Sequence, residues 1–309
     1  MRLLNAAIGD VRSLAFSPDS DALAATVVKQ GVFLWNLGST GGPVHLDDDD
    51  KLRHGTLSFA PDGRSLAWAG SNAWNIYDRD ERDLARKSLD HRGLLIAVHR
   101  TPDGSRIVSE HTFPSSTLTG WSVTDEGWNQ DWTISTKDYF IRRYAVDPCE
   151  QRVAVICQPN GSAVRLELRS AVSGVIQNSG PCPYDEVEQL LFSPDGTQIV
   201  AVRHMTLVVW SVPELGKPHL VRDSSRKDAG RKGVSRTHFT SLAFHPSGRY
   251  LFASSNDETV HVFDTVSWDC ISRFSWKLGQ MRSVGVSADG ALAAAGNDKG
   301  EVIVWDVDL

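Results

Sequence analysis

The chain has 309 residues, 41% hydrophobic and 23% charged, so it can bury a large core and its balance argues against disorder. Its 32 basic and 38 acidic residues leave a net charge of −6, which argues against nucleic acid or a membrane surface as the main partner. The N-terminal MRLLNAAIGDVRS lacks the apolar run of a signal peptide, and Cys149, Cys157, Cys182 and Cys270 form neither a CxxC pair nor a metal-ligand spacing. A cytoplasmic protein with reduced thiols is the expectation.

In chain order, the short apolar segment RLLNA at 2–6 comes before a pattern that then repeats. LAFSPDS at 14–20 returns as LSFAPDG at 57–63, VHRTPDG at 98–104, YAVDPCE at 144–150, LLFSPDG at 190–196, LAFHPSG at 242–248 and VGVSADG at 284–290. Successive turns lie 43, 41, 46, 46, 52 and 42 residues apart. Where the copy reads Pro-Asp-Gly, the proline presets φ for a tight turn, the aspartate bonds back to the backbone, and the glycine takes a position needing φ > 0; the other copies keep part of this set. A small-apolar strand, a polar turn and a third strand follow. The third strands read VFLWN, WNIYD, LTGWS, VRLEL, VVWS, VHVFD and VIVWD. All but one end near an aromatic residue (Trp35, Tyr77, Trp121, Trp210, Phe263, Trp305); the fourth has Glu167.

Fourth strands are expected in GPVHLD, DLARKSL, NQDWTIS, GVIQNS, HLVRD and CISRFSW. The seventh copy ends at Leu309 without one, and RLLNA lies at the matching distance before the first copy. A period of about 45 residues built from four short strands fits a β-propeller blade and does not fit helical repeats. The fold class expected is all-β: one domain over 1–309, a seven-bladed β-propeller of four-stranded antiparallel blades, closed by the N-terminal strand.

The SPDG turns, the SNDETV turn and the closing VIVWDV resemble the WD-repeat (WD40) propeller family along essentially the whole chain. The copies depart from that family's pattern. At the ends of the third strands only Trp305-Asp306 keeps the Trp-Asp pair, and no copy has the Gly-His dipeptide before its first strand. In the family, that His bonds with an Asp of the polar turn and with the Trp. Here the resemblance leaves Asp257 and Asp298 in the Asp position, with Trp305 and Asp306 as structural residues. Most blades are therefore expected to rely on packing, with the third and fourth the least regular.

No GxSxG, GxxxxGK[ST], HExxH or GxGxxG occurs, and the ten histidines have no metal-site spacing. No cofactor and no metal are expected, and His261, alternating with Val260 and Val262, reads as an interblade residue. The family implies a non-enzymatic scaffold that binds a peptide or protein on its top face or channel mouth. The alternative is a lactonase-like propeller hydrolase with a metal in the channel.

Aligning the copies on their turns gives one residue per blade at the entry to the first strand: Arg12, Gly55, Ile96, Arg142, Glu188, Thr240 and Arg282. Arg12 and Arg282 are expected to be neighbours, either paired with nearby carboxylates or forming a pocket for an acidic peptide. Trp74, His204, Asn256 and Asn297 lie in or beside polar turns on the same face and complete the candidate binding set. DDDDK at 47–51 and the basic loop at 221–236 are expected to be solvated, or to form a charged rim there. The partner expected is a protein or peptide, possibly acidic, with no nucleic acid and no membrane, bound by a monomeric ring.

Overall fold

The structure is a computed structural model. It describes residues 1–6, 8–47, 57–60, 62–69, 73–88, 95–100, 106–111, 117–124, 127–135, 139–149, 151–222 and 237–308. β1 (Arg2–Asn5) precedes sheet 1, formed by β2 (Val11–Phe16), β3 (Ala22–Val27), β4 (Gly31–Asn36) and β5 (Val44–Asp47). Sheet 2 holds β6 (Leu57–Phe59), β7 (Ser65–Ala69), β8 (Ala73–Asp78) and β9 (Asp83–Ser88). Sheet 3 holds β10 (Leu95–Arg100), β11 (Arg106–His111), β12 (Thr117–Thr124) and β13 (Gly127–Ser135). Sheet 4 follows with β14 (Tyr139–Val146), β15 (Arg152–Pro159), β16 (Arg165–Ser170) and β17 (Ile176–Pro181). Sheet 5 has β18 (Gln189–Phe192), β19 (Gln198–Arg203), β20 (Thr206–Ser211) and β21 (His219–Arg222). Sheet 6 has β22 (Phe239–Phe244), β23 (Tyr250–Ser255), β24 (Thr259–Asp264) and β25 (Cys270–Ser275), and β26 (Met281–Val286), β27 (Leu292–Asn297) and β28 (Glu301–Asp306) end the chain.

Sheets 1 to 6 are antiparallel meanders, each made of four consecutive strands. Sheet 7 is different, with the order β1-β28-β27-β26. Arg2 to Asn5 pair in register with Val304 to Glu301, and the Ala6 N–H continues the ladder to the Gly300 carbonyl. The strand that would have been an unpaired edge at the end of the chain is thus covered by its beginning, as expected. Arg2 strengthens the junction by donating to the carbonyls of Leu37 and Ser39 in the turn after β4. Around the fold, β2 lies beside β6, β6 beside β10, β13 beside β14, β14 beside β18, β18 beside β22, β22 beside β26, and β26 beside β2. The seven sheets thus form a seven-bladed β-propeller.

The second and third strands are the most deeply buried, and their apolar faces form the cores between neighbouring sheets. Trp35, Trp68, Trp210 and Phe263 are among the largest fully enclosed side chains. Truncating one of them to Ala would cost about 3–5 kcal/mol. Where sheet 7 meets sheet 1, a Cβ on Gly296 would collide with Val11, so only glycine allows that approach.

The repeated turn is built as its residue types require. Gly63, Gly196, Gly248 and Gly290 have φ between 67° and 76°. The Ser193 hydroxyl donates to Asp195 at 2.6 Å, and the Thr197 N–H donates to the same carboxylate; Ser287, Asp289 and Ala291 repeat this. Those bonds, the serine's first, hold the Asp195 and Asp289 carboxyls below the usual carboxylate range. Neighbouring turns are joined as well: Arg79 bonds Asp21, Asp19 and the Gly63 carbonyl, Arg152 reaches the Gly196 carbonyl, and His245 reaches the Gly290 carbonyl.

Two alignments made from the sequence shift. In sheet 4, Arg169 pairs opposite Val153 just as Trp35 pairs opposite Leu23, so Arg169, and not Glu167, holds the aromatic's place. The turn between β15 and β16 is longer than its counterparts, which displaced the match. Arg169 is buried there because Glu167, fully enclosed, accepts from both Arg165 and Arg169, while Arg169 also donates to the Gly174 carbonyl. Cys157 lies against this cluster, and burial, with the nearby Glu167 charge, pushes its thiol up to about 12. The second shift concerns Asp257, which was aligned with Asp298. Asn256 is the true equivalent: its Oδ1 accepts the His238 N–H and its N–H donates to the His238 carbonyl, as Asp298 does with Gln280.

Candidate binding site

The first strands begin at the end where the turns between second and third strands also lie, opposite the PDG-type turns. Backbone bonds fix that arrangement: the Val28 N–H donates to the Asp10 carbonyl, Asn256 to His238, and Asp298 to Gln280. The entry positions have a shared geometry that the sequence did not reveal. Val11 pairs with Val27 and Ser13 with Thr26, so Arg12 is the extra residue of a β-bulge. The same register shift isolates Ile96, Arg142, Thr240 and Arg282. A bulge re-aims its unpaired residue, so alignment by turn spacing had picked out a repeated device for orienting side chains. In sheet 5, Glu188 immediately precedes β18 and donates its N–H to Val202. Gly55 lies outside the described residues.

Polar links pass from one first strand to the next. Arg143 donates to the Glu188 carbonyl at 2.9 Å; Gln189 exchanges two bonds with the Leu242 backbone; Thr240 donates to the Met281 carbonyl, and Ser283 to the Val11 carbonyl. Their only sign in the sequence was a polar residue at these points of otherwise apolar strands.

Arg12 and Arg282 do converge, and they do so on an internal carboxylate. The Arg12 guanidinium donates to Asp10 at 2.7 Å, while Arg282 Nε stands 3.7 Å from the same oxygen, an ion-pair separation too long for a hydrogen bond. Across the ring, the Arg142 guanidinium lies 4.2 Å over the half-exposed Phe140 ring and weakly bonds Gln158. Glu188 accepts only a long 3.4 Å bond from the His204 N–H. Arg282 Nε, Arg142 Nε and Glu188 Oε2 are each buried with no hydrogen-bond partner among the described residues.

The turn residues behave differently from the entry positions. Asn297 is fully buried and committed: its amide donates to the Leu278 carbonyl and to Glu301, and its oxygen accepts from the Lys299 and Glu301 N–H groups. Asn256 is engaged with His238 as described above. His204 is exposed, with φ of 52°, and its carbonyl accepts the Phe239 N–H from sheet 6. Trp74 is the second residue of β8, opposite Ala69, and its side chain lies outside the described residues. Asp47 corrects the picture of DDDDK as a solvated rim. It is buried and accepts from the Trp68 indole at 2.9 Å and from Asn75, joining sheets 1 and 2. Residues 48–51 and 223–236 lie outside the described residues.

The structural assignments split too. Trp305 packs on Trp276 and Phe274, yet its indole nitrogen has no hydrogen-bond partner among the described residues, because β27 offers it alanines and a glycine. Asp306 is exposed and faces the N-terminal ammonium at 3.7 Å. Asp257 accepts from Thr259, whose hydroxyl meets His261 at 2.9 Å. His261 is buried within sheet 6, edge-on to Phe239, and meets Thr259 and Cys270 of the same sheet. The four cysteines are free thiols. Among the described residues no group of three His, Cys, Asp or Glu side chains is placed to hold a metal ion, and no helix is long and apolar enough to cross a membrane.

The sequence model described as WD domain, G-beta repeat matches residues 232–264, which run into β24. The chain carries a WD repeat. In the matched copy the turn residues Asn256 and Asp257 are both engaged in hydrogen bonds. None of the curated proteins matches the chain. The repeat and the seven four-stranded sheets support a protein-interaction scaffold in general terms.

Proposed function

We propose that the chain is a non-enzymatic platform that holds a peptide or protein partner, with acidic character, over the mouth where its first strands begin. The observation that carries this reading is the concentration of unsatisfied groups at the entry positions. Buried polar atoms are normally hydrogen-bonded, and leaving one unpaired costs about 1–3 kcal/mol. Arg142, Glu188 and Arg282 each carry that cost at equivalent places of different sheets, while at the other end the described turns at 193–197 and 287–291 are closed by serine–aspartate hydrogen bonds. A partner that supplied the missing donors and acceptors would recover it. In this reading the 309 residues act as one domain and one monomeric ring in the cytoplasm, with neither nucleic acid nor a membrane as partner.

Affinity capture from cells with the full chain, compared with an Arg142→Gln/Arg282→Gln double variant and an Asp195→Asn variant, tests it. Partners should be retained by Asp195→Asn and lost from the double variant while its melting temperature is unchanged. Partners that survive the double variant and are lost with Asp195→Asn would place binding on the opposite face.

A further inference from the structure

The charged groups at the mouth are not spread evenly, and their balance limits what can bind. On the side where sheets 7 and 1 meet, two guanidinium groups, Arg12 and Arg282, share the carboxylate of Asp10, leaving one positive charge without a counter-charge among the described residues. On the far side, at sheets 4 and 5, Glu188 has a carboxylate with one buried oxygen unpartnered and no ion pair among the described residues. Its neighbour Arg142 is held over Phe140 instead of pairing with it. The mouth is therefore polar across its width, with spare positive charge at one side and an unneutralised carboxylate at the other.

Resting on the reading above, we infer that the mouth takes an extended peptide carrying one acidic and one basic side chain, the acid directed to Arg12 and Arg282 and the base to Glu188. The acid is a carboxylate, not a phosphate. The residual charge beside Asp10 matches a monoanion, and a phosphate with charge of about −2 would press its extra charge against the Asp10 carboxylate, 2.7 Å from Arg12. Arg282 is partly exposed, with 22% of its side chain accessible, so rotation about its side-chain bonds turns Nε toward the ligand. Phe140, about half exposed beside Arg142, offers an apolar contact to the segment between the two charges. The charge order also gives the peptide a direction, because reversing it sets like charges against both ends.

The test selects peptides of about 12 residues, long enough at ~3.4 Å per residue to cross a ring, from a random display library on the full chain, and measures synthetic winners by fluorescence anisotropy. Winners should carry one acid and one base at a constant separation. Glu188→Gln should weaken them about tenfold through the base alone, and Arg282→Gln about tenfold through the acid alone. Asp10→Asn should tighten acidic winners several-fold, a gain that a misfolded variant would not show. Glu188→Gln should leave the melting temperature unchanged or raised. Winners that map to the mouth by these variants but carry no paired charges would overturn the inference and leave the platform reading standing. Winners insensitive to all three variants, or no winners at all, would overturn both. Tighter binding after phosphoserine replaces the acid, or of a single-stranded oligonucleotide in place of the peptide, would also overturn it.

Discussion

The two ends of the sheets are built to opposite specifications. At the described PDG-type turns, serine and aspartate satisfy one another, and arginines or a histidine tie three neighbouring pairs of turns together. At the entry end, bulges turn Arg12, Arg142 and Arg282 out of the strand ladders, and several of their polar atoms and those of Glu188 go unsatisfied. The difference teaches which end carries stability and which can carry recognition: hydrogen bonds already made at the first cannot be offered to a partner, and those left open at the second weaken the free chain. Binding surfaces commonly keep such local conflict.

The strongest way to break the comparison is to remove what both ends rest on. Deleting residues 1–5 uncovers β28 along its length, and the expected outcome is loss of a single cooperative thermal transition, with aggregation seen by light scattering. A chain that melted normally without β1 would show that neither end depends on ring closure. The next effect lies inside sheet 4. Glu167→Leu leaves Arg165 and the buried Arg169 without their shared carboxylate and should cost about 3–5 kcal/mol in urea unfolding, whereas replacing Glu167, Arg165 and Arg169 together by apolar residues should recover most of it.

The smallest effect separates the ends most sharply. Asp195→Asn should cost about 1 kcal/mol at neutral pH, against less than about 0.5 kcal/mol for Arg142→Gln. The pH profile gives the sign. Because the folded Asp195 and Asp289 carboxyls lie below their unfolded value of 3.8, their contribution is present above that value and is lost as pH falls through the folded pKa. Asp195→Asn and Asp289→Asn should therefore flatten acid unfolding below about pH 4, measured by circular dichroism, and Arg142→Gln should leave its shape unchanged.

Much of this was legible before any coordinates, because the signals were local and repeated. A proline, an aspartate and a glycine in order dictate a turn through φ and one hydrogen bond. Seven full or partial copies of that turn at one period then give the strand count, and β1 was found by its spacing alone. Equivalence inside the blades was less legible. Glu167 was matched two residues away from Arg169, a shift that keeps apolar alternation unchanged, and Asp257 one residue away from Asn256 inside a turn, where no alternation marks the register.

What the sequence determined by itself was the set of strands, their turns and the entry position in each copy, since these follow from backbone preferences and period. Only the tertiary structure decided which of those entry residues are satisfied. Asp10 reaches Arg282 across most of the chain's length, Gln189 finds the Leu242 backbone, and Asp47 leaves its acidic run to meet Trp68. Hydrogen bonding and ion pairing depend on distances of a few ångströms between segments far apart in sequence, and packing sheet against sheet sets those distances.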